Sequence, residues 1–327
     1  MKYGCLVLVF FLAFSFRRFF SEDTLPAGMA YNYYSKSCPL AEQVIYQTMV
    51  IAKQLHAGIT SDVTRLAFHD AFVEGCDASA LIKSTPGNLA EMNASVNKFL
   101  EGFELIDAAK FQLEILCPNT VSCADIIQFA ARDGVRLDGG PFYALPGGRL
   151  DGRVSKASRA TQFLPLPTMN VSELKANFAA KNFTLEELAT LSGAHTIGEA
   201  HCSSFKDRLY NFTGNGDQDP SLDPTYAREL KAKCPQSATS DDTVPMESEP
   251  STSKVNTVYY RDILRSKSIF TSDQTLVNDP ITRATVVQFA NSTEIFFQKF
   301  AAAMLKMSLL EVNKPGGEIR YHCGSIN

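Results

Sequence analysis

Apolar residues recur at helical spacing along most of the chain, and no stretch alternates apolar and polar residues over the length of a strand. Between Ala41 and Leu55, the residues Val44, Ile45, Met49, Ile51, Ala52 and Leu55 follow a helical repeat, with Pro39 just ahead of them. A second helix is expected with Ser61 or Asp62 as its cap, carrying Arg65 and His69 and ending near Phe72. Lys83 to Phe99 is polar and Asn-rich and reads as loop. Gly102–Leu116 and Ala124–Val135 return to the helical repeat, and residues 139–153 are dense in Gly and Pro, which break it. Thr184-Leu-Glu-Glu187 is a capping box that opens a helix through Leu191 and delivers His195. Residues 213–225 and 235–254 read as surface loops with at most a short hairpin. One long helix is expected from Ile281 to Met307, its Phe289, Phe296, Phe297, Phe300, Met304 and Met307 forming a core stripe. The pattern predicts a mainly α fold with minimal β.

Composition adds size and compartment. At 327 residues and 45% apolar, the chain can build a substantial core in one large domain or two lobes. A net charge of −4 without a basic run argues against a nucleic-acid partner. Lys2 followed by an apolar run from Cys5 to Phe16 reads as a secretory leader, too short for a stable membrane span. Residues 1–29 are therefore assigned to a signal peptide, cleaved between about residue 20 and residue 30, and 30–327 to the mature domain. Seven cysteines remain after the leader, an odd number that implies three bridges and one free thiol. Their spacing leaves the pairing open. Five Asn-x-Ser/Thr sequons, at Asn93, Asn170, Asn182, Asn211 and Asn291, agree with export.

The chemistry concentrates in Arg65 to Ser79. Arg65 and His69 are four residues apart and share a helix face. Asp70, Asp77 and Ser79 gather oxygen atoms around Gly75, as a hard cation requires. Of five histidines, His69 and His195 have the most suggestive surroundings; the small residues of Leu191-Ser-Gly-Ala-His-Thr-Ile-Gly198 suggest room for a flat group to approach the backbone.

Arg65-Leu-Ala-Phe-His-Asp-Ala-Phe-Val73 resembles the distal helix of the class III, secretory plant-type haem peroxidases. Leu191–Gly198 resembles their proximal haem-ligand motif. The likeness continues through Tyr33–Pro39, Val121–Asp125, Gly139–Pro141, Arg208–Phe212, Thr271–Gln274 and Gly317–Arg320 to Cys323, and so covers residues 31–327 in order. It implies a haem peroxidase fold, two helical lobes around haem b, with His195 on the iron and Asp273 on the far ring nitrogen. His69 would be the acid–base group toward hydrogen peroxide, Arg65 the electrostatic clamp, and Asn97 the hydrogen-bond partner that sets the His69 tautomer. Pro146 would line the channel for small phenolic and other aromatic donors. Side chains of Asp70, Asp77 and Ser79, the carbonyls of Val73 and Gly75, and Glu91 through water would hold a distal calcium. The resemblance also implies the bridges Cys38–Cys117, Cys123–Cys323 and Cys202–Cys234, a secreted monomer (extracellular, in the cell wall or vacuolar) and one-electron donor oxidation. The absence of any Trp separates the chain from intracellular relatives that keep one under the haem.

Several positions depart from the family pattern. Ala71 stands where the family has the partner of Cys76, which leaves Cys76 as the odd thiol. The lost bridge closes a short loop and is worth less than the ~3 kcal/mol of a 15-residue one. Thr196 keeps one ligand of a second, proximal calcium, but Asn256 replaces a carboxylate there and Glu247 reaches another position only with a one-residue shift. Gly58, Asp62, Glu101, His201 and Leu150 replace residues that usually anchor the haem edge. They leave open a second reading, a peroxidase-fold secreted glycoprotein with weak or no turnover.

Overall fold

The computed structural model describes residues 25–249 and 254–327, so most of the expected leader lies outside the described residues. The fold is organised on α1 (Ala41–Leu55), α2 (Ile59–Val73), α3 (Phe103–Leu116) and α4 (Cys123–Leu137). Helix α4 is the pillar: Cys123 to Val135 are all buried, and α1, α2 and α3 pack against it. Ser122 caps it, accepting a hydrogen bond from Asp125 N.

A pillar buried on every side must satisfy its polar groups internally. Asp125 is fully enclosed and accepts from Tyr34 Oη at 2.6 Å, Gly148 N at 2.7 Å and Arg149 Nη1 at 2.7 Å. Arg149 donates in turn to the carbonyls of Pro146 and Ser308, both at 2.9 Å. The Gly- and Pro-rich loop after α4 is thereby tied to the core and to the C-terminal region.

After α5 (Ala157–Phe163) and α6 (Val171–Ala180) come α7 (Leu185–Ser192), α8 (Lys206–Tyr210), α9 (Pro224–Lys233) and α10 (Val258–Leu264), then α11 (Thr271–Gln274), α12 (Pro280–Asn291) and α13 (Thr293–Met307). Helices α7, α10, α12 and α13 pack together around Tyr260, Phe289, Phe296 and Phe300. One apolar cluster runs from α1 through α13, and a smaller one around Phe205, Leu209 and Tyr226 contains the Cys202–Cys234 bridge. β1 (Glu199–His201) pairs antiparallel with β2 (Thr243–Pro245), Ala200 opposite Val244. This mainly α architecture with two short strands agrees with the haem peroxidase fold expected from the resemblance.

Local readings fare unevenly. α1 spans the expected residues, and the Thr184 box is formed, with Glu187 N on Thr184 Oγ1 and Thr184 N on Glu187 Oε2. The start of α2 differs: it begins at Ile59 after Gly58, because Ser61 Oγ donates to Gly58 O and Asp62 turns to His56 rather than either residue capping. The single helix expected over 281–307 is two, since Ser292 leaves helical geometry and caps α13 by accepting from Ile295 N. The strand in the 235–254 loop pairs with residues 199–201 across the chain rather than forming a local hairpin. A second capping box, Asn170 with Glu173, starts α6 and was not singled out from the sequence; such a cap is worth about 1 kcal/mol.

Disulfides join Cys38 to Cys117, Cys123 to Cys323 and Cys202 to Cys234. Cys76 is the free cysteine among the described residues, fully buried like Ala71, with Sγ 3.1 Å from Met307 O and 3.6 Å from Gln128 Nε2. Burial pushes its thiol pKa well up, so it is unreactive as well as inaccessible. Titration of the purified protein with a thiol reagent, without reductant, should find one free Cys after denaturation and almost none beforehand. Finding none after denaturation would contradict the pairing.

Candidate active site

Helix α2 carries Arg65 and His69 one turn apart on the face turned away from α4. A 3-10 turn over Ser95–Asn97 brings Asn97 against the imidazole, with His69 Nδ1 2.6 Å from Asn97 Oδ1. The amide cannot be reversed without loss, because Asn97 Nδ2 donates to Glu91 O at 2.8 Å. Its oxygen therefore faces His69, Nδ1 carries the proton, and Nε2 keeps its lone pair with no hydrogen bond to the protein. Burial, then the Arg65 charge, push the His69 pKa down to about 3, against the opposing effect of the Asn97 bond. Arg65 donates through Nη1 to Phe99 O and through Nη2 to Val96 O at 3.3 Å, so the loop that supplies Asn97 also holds the guanidinium.

His195 is presented by the 3-10 turn Gly193–Thr196 at the end of α7. Its Nδ1 is 2.9 Å from Asp273 Oδ1, an oxygen that also accepts from Tyr259 Oη at 2.7 Å. Asp273 sits in the short α11 and is 2% exposed, whereas 41% of the His195 side chain remains accessible. Burial alone disfavours the imidazolium, but the Asp273 carboxylate outweighs it and raises the pKa. The Arg65 charge lowers the pKa of His195 as well as that of His69. Tyr259, on α10, had no signal in the sequence.

The glycines beside His195 lie close against other parts of the protein. A Cβ on Gly193 would fall 2.2 Å from Tyr260 Oη and 2.6 Å from the Phe296 ring; one on Gly198 would fall 2.8 Å from Ser61 Cβ. Both glycines are packed against neighbouring protein, where a Cβ would collide, and this packing helps set where His195 stands.

Below His69, Asp70 Oδ2 accepts from Ala78 N at 3.0 Å and Asp77 Oδ1 from Ser79 N at 3.0 Å. Ser79 Oγ and both carboxylate oxygens of Glu91 are buried and make no hydrogen bond of normal geometry among the described residues, although Ser79 is near enough to lower the Glu91 and Asp77 pKa values. Burial, reinforced by Asp70 and Asp77, pushes Glu91 up to about 9, and burial pushes Asp77 up to about 6. Unsatisfied oxygens among buried acids are what a hard cation would complete. The Gly75 carbonyl accepts from Asp77 N, and Lys181 Nζ lies 3.5 Å from Val73 O.

The Thr196 region is different. Thr196 Oγ1 donates to Glu247 Oε1 at 2.7 Å, Asn256 Nδ2 donates to Glu247 Oε2 at 3.2 Å, and Asn256 N donates to Thr196 Oγ1 at 3.1 Å. Glu247 does reach Thr196, and the groups bond one another. Pro146 is buried, with its carbonyl taken by Arg149. His201 stacks on Phe99 with ring centroids 3.6 Å apart, while Leu150 lies against the Gly317 backbone.

The family model described as peroxidase matches residues 45–292. Peroxidase 5 of Vitis vinifera is 48% identical over 307 residues, 93% of each chain. Peroxidase 66 of Arabidopsis thaliana is 42% identical over 92% of this chain and 93% of its own, and Peroxidase 3 of the same plant is 41% identical over 99% of both.

The His69 environment has a consequence for stability. An unfolded histidine takes up a proton near pH 6.5, whereas folded His69 refuses it down to about pH 3. Between those values the unfolded chain binds more protons, so stability falls as pH drops. The thermal midpoint should therefore fall less between pH 6.5 and 4.5 in His69→Gln than in the wild type. Equal slopes would show that His69 is not held neutral.

Proposed function

The chain belongs to the class III, secretory plant-type haem peroxidases, and we propose that Arg65, His69 and Asn97 process hydrogen peroxide in the cleft that His195 and Asp273 line from the other side. The observation that carries this reading is the pair of oppositely tuned imidazoles, each tied at Nδ1 and each keeping Nε2 for chemistry.

The donor set fits haem b. His195 Nε2 would hold the group, which would supply the redox chemistry for peroxide reduction and one-electron donor oxidation. Asp273 holds the Nδ1 proton and strengthens the nitrogen opposite, and Tyr259 keeps that carboxylate aimed. On the other side, neutral His69 Nε2 takes the proton from one peroxide oxygen and returns it to the other, which departs as water. Asn97 keeps that lone pair correctly placed. Arg65 stabilises the negative charge that builds on the departing oxygen. Small phenolic donors fit such one-electron chemistry. Replacing His69 by Ala should slow the reaction with peroxide by about 10²- to 10⁴-fold while the haem absorption band is retained, as stopped-flow spectroscopy would read. An unchanged rate would remove His69 from the mechanism.

Calcium is assigned to the cage of Asp70, Asp77 and Ser79 with the Val73 and Gly75 carbonyls, and Glu91 acting through water. The buried Ser79 and Glu91 oxygens, without hydrogen bonds of normal geometry, support it. The mutual hydrogen bonds of Thr196, Glu247 and Asn256 argue against a second tight ion. Metal analysis after dialysis should return one calcium per chain. Because the ion competes with protons for buried carboxylates, chelation should lower the thermal midpoint more at pH 8 than at pH 5. Two retained calcium ions would refute the assignment.

Export is supported by the leader pattern, by all five sequon asparagines being exposed, and by the three disulfides. Among the described residues no helix is long and apolar enough to cross a membrane. Ala30 pairs with Gly147, and Ala27 O accepts from Asn313 Nδ2, contacts that tie the start of the described chain to the domain. We assign it as a monomer in the extracellular space, cell wall or vacuole.

A further inference from the structure

Three side chains with no part in the peroxide chemistry meet at the amino-terminal end of α2. His56 follows α1, Asp62 lies in the first turn of α2, and Glu101 comes from the loop before α3. One ligand atom from each lies within 4.8 Å of the other two. His56 Nε2 is 2.8 Å from Asp62 Oδ2. His56 and Glu101 are exposed, and Asp62 is half-buried.

Gly58, Asp62 and Glu101 are three of the positions at which this chain departs from its family's pattern. They are scattered in sequence yet converge here. A Cβ at residue 58 would lie 3.2 Å from both Cε1 and Nε2 of His56, so glycine is what lets the ring lie close over the turn beside Asp62. Asp62 and Glu101 bring two carboxylates together, and burial together with the Glu101 charge raises the Asp62 pKa while His56 and Arg65 oppose the rise. A dication relieves that repulsion in place of a proton.

One imidazole nitrogen and two carboxylate oxygens form a mixed donor set, which suits a borderline ion better than calcium. Bonds of about 2.0–2.2 Å to such an ion put its ligand atoms up to about 4 Å apart. With an ion bound, the His56–Asp62 pair, 2.8 Å apart, would open slightly, and rotation of the exposed His56 and Glu101 side chains would bring all three ligand atoms to that spacing. We infer that His56, Asp62 and Glu101 bind one divalent transition-metal ion of the zinc type, with water completing its coordination. Both carboxylates act on Arg65, so the filled site also lowers the negative field at that guanidinium. The site stands on these three side chains and does not depend on which residues handle peroxide.

The test is zinc titration calorimetry on the intact secreted holoprotein, with calcium kept saturating so that the acidic cage is occupied. The wild type should take one Zn2+ per chain. Glu101→Gln and His56→Gln should each weaken binding at least tenfold, and His322→Gln, at an exposed histidine elsewhere, should leave it unchanged. Both substituted side chains are exposed, and circular dichroism with the thermal midpoint verifies that the variants fold. No zinc binding by the wild type, equal affinity in Glu101→Gln and His56→Gln, or an equal loss in His322→Gln would overturn the inference.

Discussion

The rest of the distal side depends on the hydrogen bonds of one amide. Asn97 donates to the Glu91 carbonyl and, through its oxygen, fixes His69. The Glu91 side chain points among the buried acids, and Asp70 directly follows His69 on α2. The acidic cage and the imidazole are thus joined by two short paths, one through the helix and one through the 3-10 turns. Neutral His69 is the product of this arrangement: burial removes its charge, and a fixed amide oxygen selects which nitrogen stays basic.

The cage loop has no covalent staple, since Ala71 faces the core where a partner for Cys76 would stand. Other contacts restrain it. Cys76 N donates to Leu310 O, Lys314 Nζ to Glu74 O, and Arg320 Nη2 to Ala78 O. Arg320 is itself anchored, its backbone N bonding Asp151 Oδ2, and Asp151 also receives Cys123 N and Ala124 N at the start of α4. The C-terminal segment therefore works as a strap that ties the loop to the pillar helix. Its neighbour Cys323 is held to Cys123 by a disulfide.

On the proximal side the logic is reversed. His195 is kept rich in charge by Asp273, and Asp273 is kept in place by Tyr259. Packing sets the position: Gly193 fits beneath Tyr260 and Phe296, where any side chain would collide. The motif around His195 was legible, but the close packing of Gly193 was not, because Tyr260 and Phe296 lie on α10 and α13. The break at Ser292 and the start of α2 were misjudged for a similar reason. A polar side chain can cap or do something else, and its neighbours in space decide.

The sequence by itself determined the helical class, the Arg65–His69 face, the acidic cage residues and the surplus cysteine, because each depends on local periodicity, spacing or counting. Resemblance extended this to Asn97, Asp273 and the cysteine pairs, which lie tens of residues from the groups they serve. Only the tertiary structure decided that Asn97 is locked by Glu91, that Tyr259 shares Asp273, and that Glu247 reaches Thr196. It alone brought His56, Asp62 and Glu101 together. These contacts, whether between near or distant residues, are fixed when helices pack and loops close, and hydrogen-bond direction and local field exist only once that packing is complete.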